Sequence, residues 1–164
     1  MTDVEILATG QELISRGVRG FEPAMEEAVK GAEREIQVVA YLITRQAMKL
    51  VDLLESAAER GIRVTVIVNR LDSQDRPVVA RLKAISLRYG HFRILNFTDR
   101  KGRQLHAKIV IVDRRMALVG SANFSWGGMF SNYEIGLCIR GRPAWKLATV
   151  VDDLAATVGA STRP

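Results

Sequence analysis

The chain has 164 residues, 48% of them hydrophobic and 26% charged, with a formal net charge of +6 and a pI near 9.9. That composition excludes a disordered tract and supplies enough chain for one core, and no run approaches the ~20 apolar residues of a membrane span. The basic balance favours an anionic partner, nucleic acid first, and the lone Cys138 excludes an intrachain disulfide.

The first ten residues, M-T-D-V-E-I-L-A-T-G, are acidic, and their apolar stretch is too short for a signal peptide. A cytoplasmic protein without stable membrane association is expected. Ser15 to Phe21 reads as a Gly-rich, basic connector. Pro23 suits a helix start, and Met25, Ala28, Val29 and Ala32 follow as a helical stripe. Ile36 to Ile43 reads as a strand. Ala47, Leu50, Val51, Leu54 and Ala58 make a second stripe, stopped by Gly61. Ile62 to Val68 is a β-branched strand, Pro77 opens a third helix that runs to about Tyr89, and Phe92 to Phe97 is a strand. The apolar runs Ile109 to Val112 and Met116 to Val119 predict a hairpin. Ile135 to Ile139 is strand-like and holds Cys138 as a buried thiol. Leu147, Val150, Val151, Leu154 and Val158 give a C-terminal amphipathic helix. The alternation predicts an α/β fold, a mixed β-sheet covered by helices on both faces, in one domain spanning residues 1–164.

His106 and Lys108 stand two apart at the head of a strand-like run, so their side chains project together. A hairpin loop of two or four residues would pair residue 112 with residue 117. Lys108 would then face Ser121, and His106 would face Asn123. A three-residue loop shifts that register by one. An imidazole, an ammonium, a hydroxyl and an amide suit a phosphodiester. Lys and Asn donate to phosphate oxygens, and a neutral imidazole attacks phosphorus or moves a proton.

His106, Lys108 and Asp113 have the spacing H-x-K-x4-D; Gly120, Ser121 and Asn123 read G-S-x-N; Asn132 and Glu134 read N-x-E. This set resembles the signature of the phospholipase D superfamily of phosphodiester-cleaving enzymes. The resemblance implies the α-β-α sandwich of that family. It implies catalytic roles for His106, Lys108, Asn123 and Glu134, support from Asp113, Ser121 and Gly120, and a covalent phosphohistidine. It implies no metal and no cofactor, because paired Lys side chains supply the positive charge. Many members carry the signature twice, and this chain carries it once. His91, the other histidine, sits in H-F-R with no Lys two residues on and reads as a loop residue. A homodimer with one shared active site follows as an expectation.

Arg100, Lys101 and Arg103 precede the motif and are read as nucleic-acid-binding; Arg114 and Arg115 occupy the hairpin turn, and Arg140 and Arg142 flank Gly141. Trp126 suits stacking on a base, but with Met129 and Phe130 it is assigned to a dimer interface. The reading is a metal-independent nuclease, with DNA preferred over RNA. Its rivals are a lipid phosphodiesterase of the same superfamily and a nucleic-acid-binding subunit of a larger DNA-processing or defence assembly.

Overall fold

Strands buried on both sides need apolar residues at consecutive positions, and the central segments of this chain supply them. In a computed structural model describing residues 3–161, eight strands form one mixed sheet. They are β1 (Asp3–Thr9), β2 (Arg19–Gly20), β3 (Glu35–Ala40), β4 (Arg63–Asn69), β5 (Phe92–Phe97), β6 (Ile109–Val112), β7 (Met116–Gly120) and β8 (Glu134–Arg140). Their order is β2-β1-β8-β7-β6-β3-β4-β5. Parallel pairing joins β3 to β4, β4 to β5 and β1 to β2, and the remaining pairs are antiparallel.

The helices are α1 (Gln11–Ile14), α2 (Phe21–Lys30), α3 (Met48–Glu59), α4 (Arg76–Arg88) and α5 (Arg142–Ser161). Side chains alternate across each strand. Val38, Val66, Val110 and Leu118 pack with Met25, Leu54 and Leu82 of α2, α3 and α4. Val39, Ile67, Ile111 and Ala117 pack with Ala144, Ala148, Val151 and Ala155 of α5. The sheet is therefore mixed and covered on both faces, as the pattern predicted.

Four local expectations change. The connector from Ser15 to Phe21 contains β2, and the acidic N-terminal segment is β1, paired along its length with β8. The third strand ends at Ala40, not Ile43. There the buried Gln74 takes over the backbone: its Oε1 accepts from the Ile43 N–H, and its Nε2 donates to the carbonyls of Tyr41 and Asn69. On α5 the small residues Ala144 and Ala148 face the sheet, and Val150 stands 61% exposed outside the core.

The hairpin register also differs. Val112 pairs with Met116, across a three-residue connection. Asp113 and Arg114 both adopt positive φ, and the Arg115 N–H closes the turn on the Val112 carbonyl. Arg115 is thus an extra residue in the ladder, and its carbonyl accepts from Gly141 instead. Lys108 consequently stands opposite Gly120, whose N–H reaches the Lys108 carbonyl at 3.4 Å, and not opposite Ser121. The same shift removes the predicted facing of His106 and Asn123.

Candidate active site

β6 runs antiparallel to β3, so the entry to β6 lies beside the exit from β3. The exit from β7 and the entry to β8 follow along the same edge of the sheet. Tyr41, His106, Lys108, Ser121, Asn123 and Glu134 therefore collect at the carboxyl edge of the parallel strands, where open α/β sheets place their ligand sites.

His106 and Lys108 lie just before β6, not within it. The side chain of the buried Asn69 places them there, because its Oδ1 accepts from the Leu105 N–H at 3.0 Å. His106 is exposed, whereas Lys108 is only 6% exposed. The Lys108 Nζ lies 3.0 Å from His106 Nδ1 and 2.8 Å from the His106 carbonyl oxygen. Burial pushes the Lys108 ammonium below the usual lysine range, and the negative charge of Glu134 partly offsets that shift. A buried cation without an ion pair is costly, so it marks a place built for an anion.

Tyr41 completes this group and carried no sequence signal. Its ring centroid is 4.1 Å from that of His106, with the planes tilted by 52°, and the Lys108 Nζ lies 5.1 Å from the same ring. One aromatic face thus supports the imidazole and the ammonium together. A tyrosine at a strand exit is common, and only the tertiary pairing of β3 with β6 gives it this role.

Ser121 and Glu134 form a second group. The Ser121 hydroxyl donates to Glu134, whose other oxygen accepts from Asn132 Nδ2 at 3.1 Å. Gly120 faces Gly136 with no room for a side chain: a Cβ at Gly120 would lie 2.8 Å from the Gly136 Cα. The side-chain oxygen of Asn123 is buried and takes no hydrogen bond among the described residues. The backbone of Asn123 is clamped by Gly128, where a Cβ would approach the Asn123 carbonyl oxygen to 2.1 Å. These two groups communicate through the field of Glu134 at Lys108.

Asp113 is at the opposite end of β6. Its carboxylate accepts from the backbone N–H groups of Glu33, Arg34 and Glu35 at 2.8–2.9 Å. His91 is also remote, its Nε2 2.8 Å from the Ala58 carbonyl oxygen. In the basic loop, Arg103 pairs with Asp99 at 2.8 Å, an interaction that holds the Asp99 carboxyl down to about 2. Arg100 and Lys101 are exposed and make no ion pair among the described residues. No cluster of metal-ligating side chains occurs among the described residues, and no helix there is long and apolar enough to cross a membrane.

Comparison with known proteins places this arrangement. The family described as cardiolipin synthase, PLD-like domain, matches residues 25–156. The DISARM protein DrmC of Bacillus paralicheniformis is 25% identical over 154 residues, covering 93% of this chain and 63% of that protein. Cardiolipin synthase B of Salmonella typhimurium is 29% identical over 113 residues, covering 64% of this chain and 27% of the enzyme. The chain thus spans less than two thirds of the length of either relative. Among solved structures, the phospholipase D family member Nuc from Salmonella typhimurium superposes with a TM-score of 0.75 at 22% identity, over 99% of this chain and 97% of that one. NucT from Helicobacter pylori gives 0.75 at 16% identity, over 96% and 98%. At those identities the likeness establishes the fold.

Proposed function

From the premise that the chain belongs to the phospholipase D superfamily, through its PLD-like domain, we propose that it is a metal-independent phosphodiesterase acting on nucleic acid, DNA before RNA, as a homodimer with one shared site. One observation carries the reading: an exposed imidazole seated on a buried ammonium, in a chain that holds the motif once.

A nitrogen of one His106 attacks phosphorus, an N–P bond forms, and the P–O bond to the leaving group breaks. The partner subunit's His106, as imidazolium, gives its proton to the departing oxygen. Water then attacks the phosphohistidine, the partner's His106 takes the water proton and is imidazolium again, and the N–P bond breaks to release the phosphomonoester and restore the attacking imidazole. In the resting site the Lys108 ammonium lies against the imidazole, its Nζ 3.0 Å from Nδ1 and 3.4 Å from Nε2. Phosphate oxygens draw the ammonium off the ring and turn Lys108 toward the charge developing on phosphorus. Asn123 adds an amide donor, Ser121 stands beside it, and Glu134 keeps Lys108 protonated.

The part of the sheet that α5 leaves uncovered supports the dimer. On the α5 side, Val4, Ile6 and Ile135 of β1 and β8 are more than half exposed, in a strip that reaches the site edge at Glu134. Nucleic acid is favoured over lipid by the net charge and by the free Arg100 and Lys101 heads that follow β5. The names of the relatives divide between a DISARM protein and cardiolipin synthases, so the lipid reaction is the reading to test against. The same DISARM likeness is compatible with a place in a larger assembly.

The deciding experiment compares single-stranded and duplex DNA, RNA, and phosphatidylglycerol or cardiolipin vesicles, all in excess EDTA. Nucleic-acid cleavage should persist in chelator and vanish in His106→Ala. Activity restored only by Mg²⁺, or confined to lipid, overturns the proposal. A purified mixed dimer of one wild-type and one His106→Ala subunit should turn over far below half the wild-type rate, whereas a rate of one half means two independent sites.

A further inference from the structure

Trp126 and Phe130 are 58% and 44% exposed, yet their rings pack against each other at a 35° tilt with centroids 4.8 Å apart. Trp126 caps the π-helical turn Gly127–Ser131 and Phe130 lies within it, a few residues beyond Asn123. That turn is tied down on every side. Gly128 is clamped on the Asn123 backbone, and its carbonyl accepts from the Thr9 hydroxyl at 2.8 Å. Phe124, just before it, exchanges backbone hydrogen bonds with Leu42 and Thr44 beyond Tyr41. Gly127 abuts the side chain of Asn132, which bonds Glu134. The fold has invested a rigid mount in two rings that it leaves facing solvent.

The position of these rings separates them from the dimer surface. Phe130 borders the cleft formed with Met25 and Leu50, so the pair lies on the α2 and α3 side of the sheet. Val4, Ile6 and Ile135 lie on the α5 side. The assignment of Trp126 and Phe130 to a subunit interface therefore loses its support.

The sheet edge orders what remains. The free Arg100 and Lys101 follow β5, three strands from β6, or roughly 14 Å at ~4.8 Å per strand. The aromatic turn lies on the other flank, between β7 and β8, roughly 5–10 Å from β6 by the same spacing. A chain crossing this edge would meet cations, then the His106 and Lys108 group, then exposed π faces. Alternating charge and stacking surfaces fit a single strand, because only an unpaired base offers its face.

The geometry points to Trp126 and Phe130 as a stacking platform for an unpaired base next to the scissile phosphate, which makes the site selective for single strands. This rests on the nucleic-acid reading above and adds the determinant of strand choice.

The test uses the intact protein with Trp145→Phe, leaving Trp126 as the sole tryptophan, in a His106→Ala background so that oligonucleotides survive. A single-stranded oligonucleotide should quench Trp126 emission, and an abasic oligonucleotide of equal length should bind about tenfold more weakly. Trp126→Ala with Phe130→Ala should bring the two affinities together, and Trp126→Tyr should retain the preference. Thermal melting and sedimentation of each variant check that fold and assembly persist. If the double variant still prefers the base-bearing strand, the platform is wrong. Quenching by anionic vesicles but not by oligonucleotide would make the rings a membrane anchor, and dissociation into monomers would make them an interface; either overturns the proposal. Failure of the nucleic-acid reading is seen separately, as wild-type protein that cleaves no nucleic acid.

Discussion

The two ends of β6 carry parts of one motif and treat charge in opposite ways. At the Asp113 end three charges are satisfied by the protein itself: Asp113 by three backbone N–H groups, Arg114 by Glu35 and Asp152, Arg140 by Asp3 and Glu5. At the His106 end an ammonium is buried without an ion pair, an imidazole faces solvent, and the Asn123 oxygen has no partner among the described residues. Satisfied charges stabilise a fold and leave nothing over for a ligand, whereas unsatisfied ones cost stability and are available to a substrate. Membership in a motif therefore does not assign one kind of role to its residues.

The sharpest way to break the comparison is to cut each end separately. His106→Ala should lower turnover by at least about 10⁴-fold with little change in melting temperature. Asp113→Ala should do the reverse. It strips the acceptor from three N–H groups and puts alanine at a positive φ, costing about 3 kcal/mol, with activity per folded molecule nearly kept. Asp113→Asn, which tolerates that φ and keeps one acceptor, should cost less. Denaturant melts beside turnover numbers settle it, and an Asp113→Ala protein of full stability but no activity would erase the distinction.

Lys108 sharpens the claim that the site end is under electrostatic strain. Replacing it with Met should cost about 10²- to 10³-fold in kcat/KM, the scale of one lost transition-state donor. The sign of the pH effect follows from its depressed pKa. Below that value both folded and unfolded chains hold the proton, and the folded state bears the full penalty. Stability then rises with pH through the depressed value, and the penalty is gone above the usual value of 10.5. Lys108→Met should thus melt higher than wild type at neutral pH, with the lead shrinking toward that value. On the proposed mechanism activity runs the other way, with the ammonium as the working form: kcat/KM should decline on the alkaline side below the ordinary lysine range. Glu134→Gln removes the charge that supports the ammonium and should move that decline to still lower pH. An unmoved alkaline limb would show that Glu134 acts elsewhere.

Tyr41 gives a smaller and more specific effect. If its ring face is what supports His106 and Lys108, Tyr41→Phe should be close to wild type and Tyr41→Ala about tenfold slower, mainly in kcat. A Tyr41→Phe variant as slow as the alanine one would assign the role to the hydroxyl.

The same contrast explains what the sequence could convey. Period and punctuation revealed the stripes of α2 and α3, the Pro77 start of α4, the strands β3 to β5, and the H-x-K and G-S-x-N spacing, because these depend on local chemistry. β1 was hidden because one of its faces is open, so Val4 and Ile6 give no inward pattern, and β2 is only two residues long. The hairpin register turned on Arg115, whose extra place in the ladder is fixed by Gly141 on a neighbouring segment. Tyr41, Asn69 and Gln74 owe their positions at the site to partners that are distant in sequence. No local pattern encodes such contacts.

The basic loop gives the smallest effect and tests whether the open character of the site end extends beyond the pocket. Each phosphate neutralised by a cation releases counterions, so log affinity falls with log salt by about 0.7 to 0.9 per contact. Arg100 and Lys101 have free heads, while Arg103 is held by Asp99, which also accepts from the Lys101 and Arg103 N–H groups. Neutralising Arg100 and Lys101 should therefore reduce the salt slope by about 1.5, the sum of two contacts. Neutralising Arg103 should change the slope little, since its charge is already spent on Asp99. Binding isotherms across a salt series, in the His106→Ala background, separate these cases. Equal effects from all three would mean that nucleic acid breaks the Asp99 pair on binding. No effect from any would return the loop to an ordinary solvated connector and confine the open charge to the Lys108 pocket.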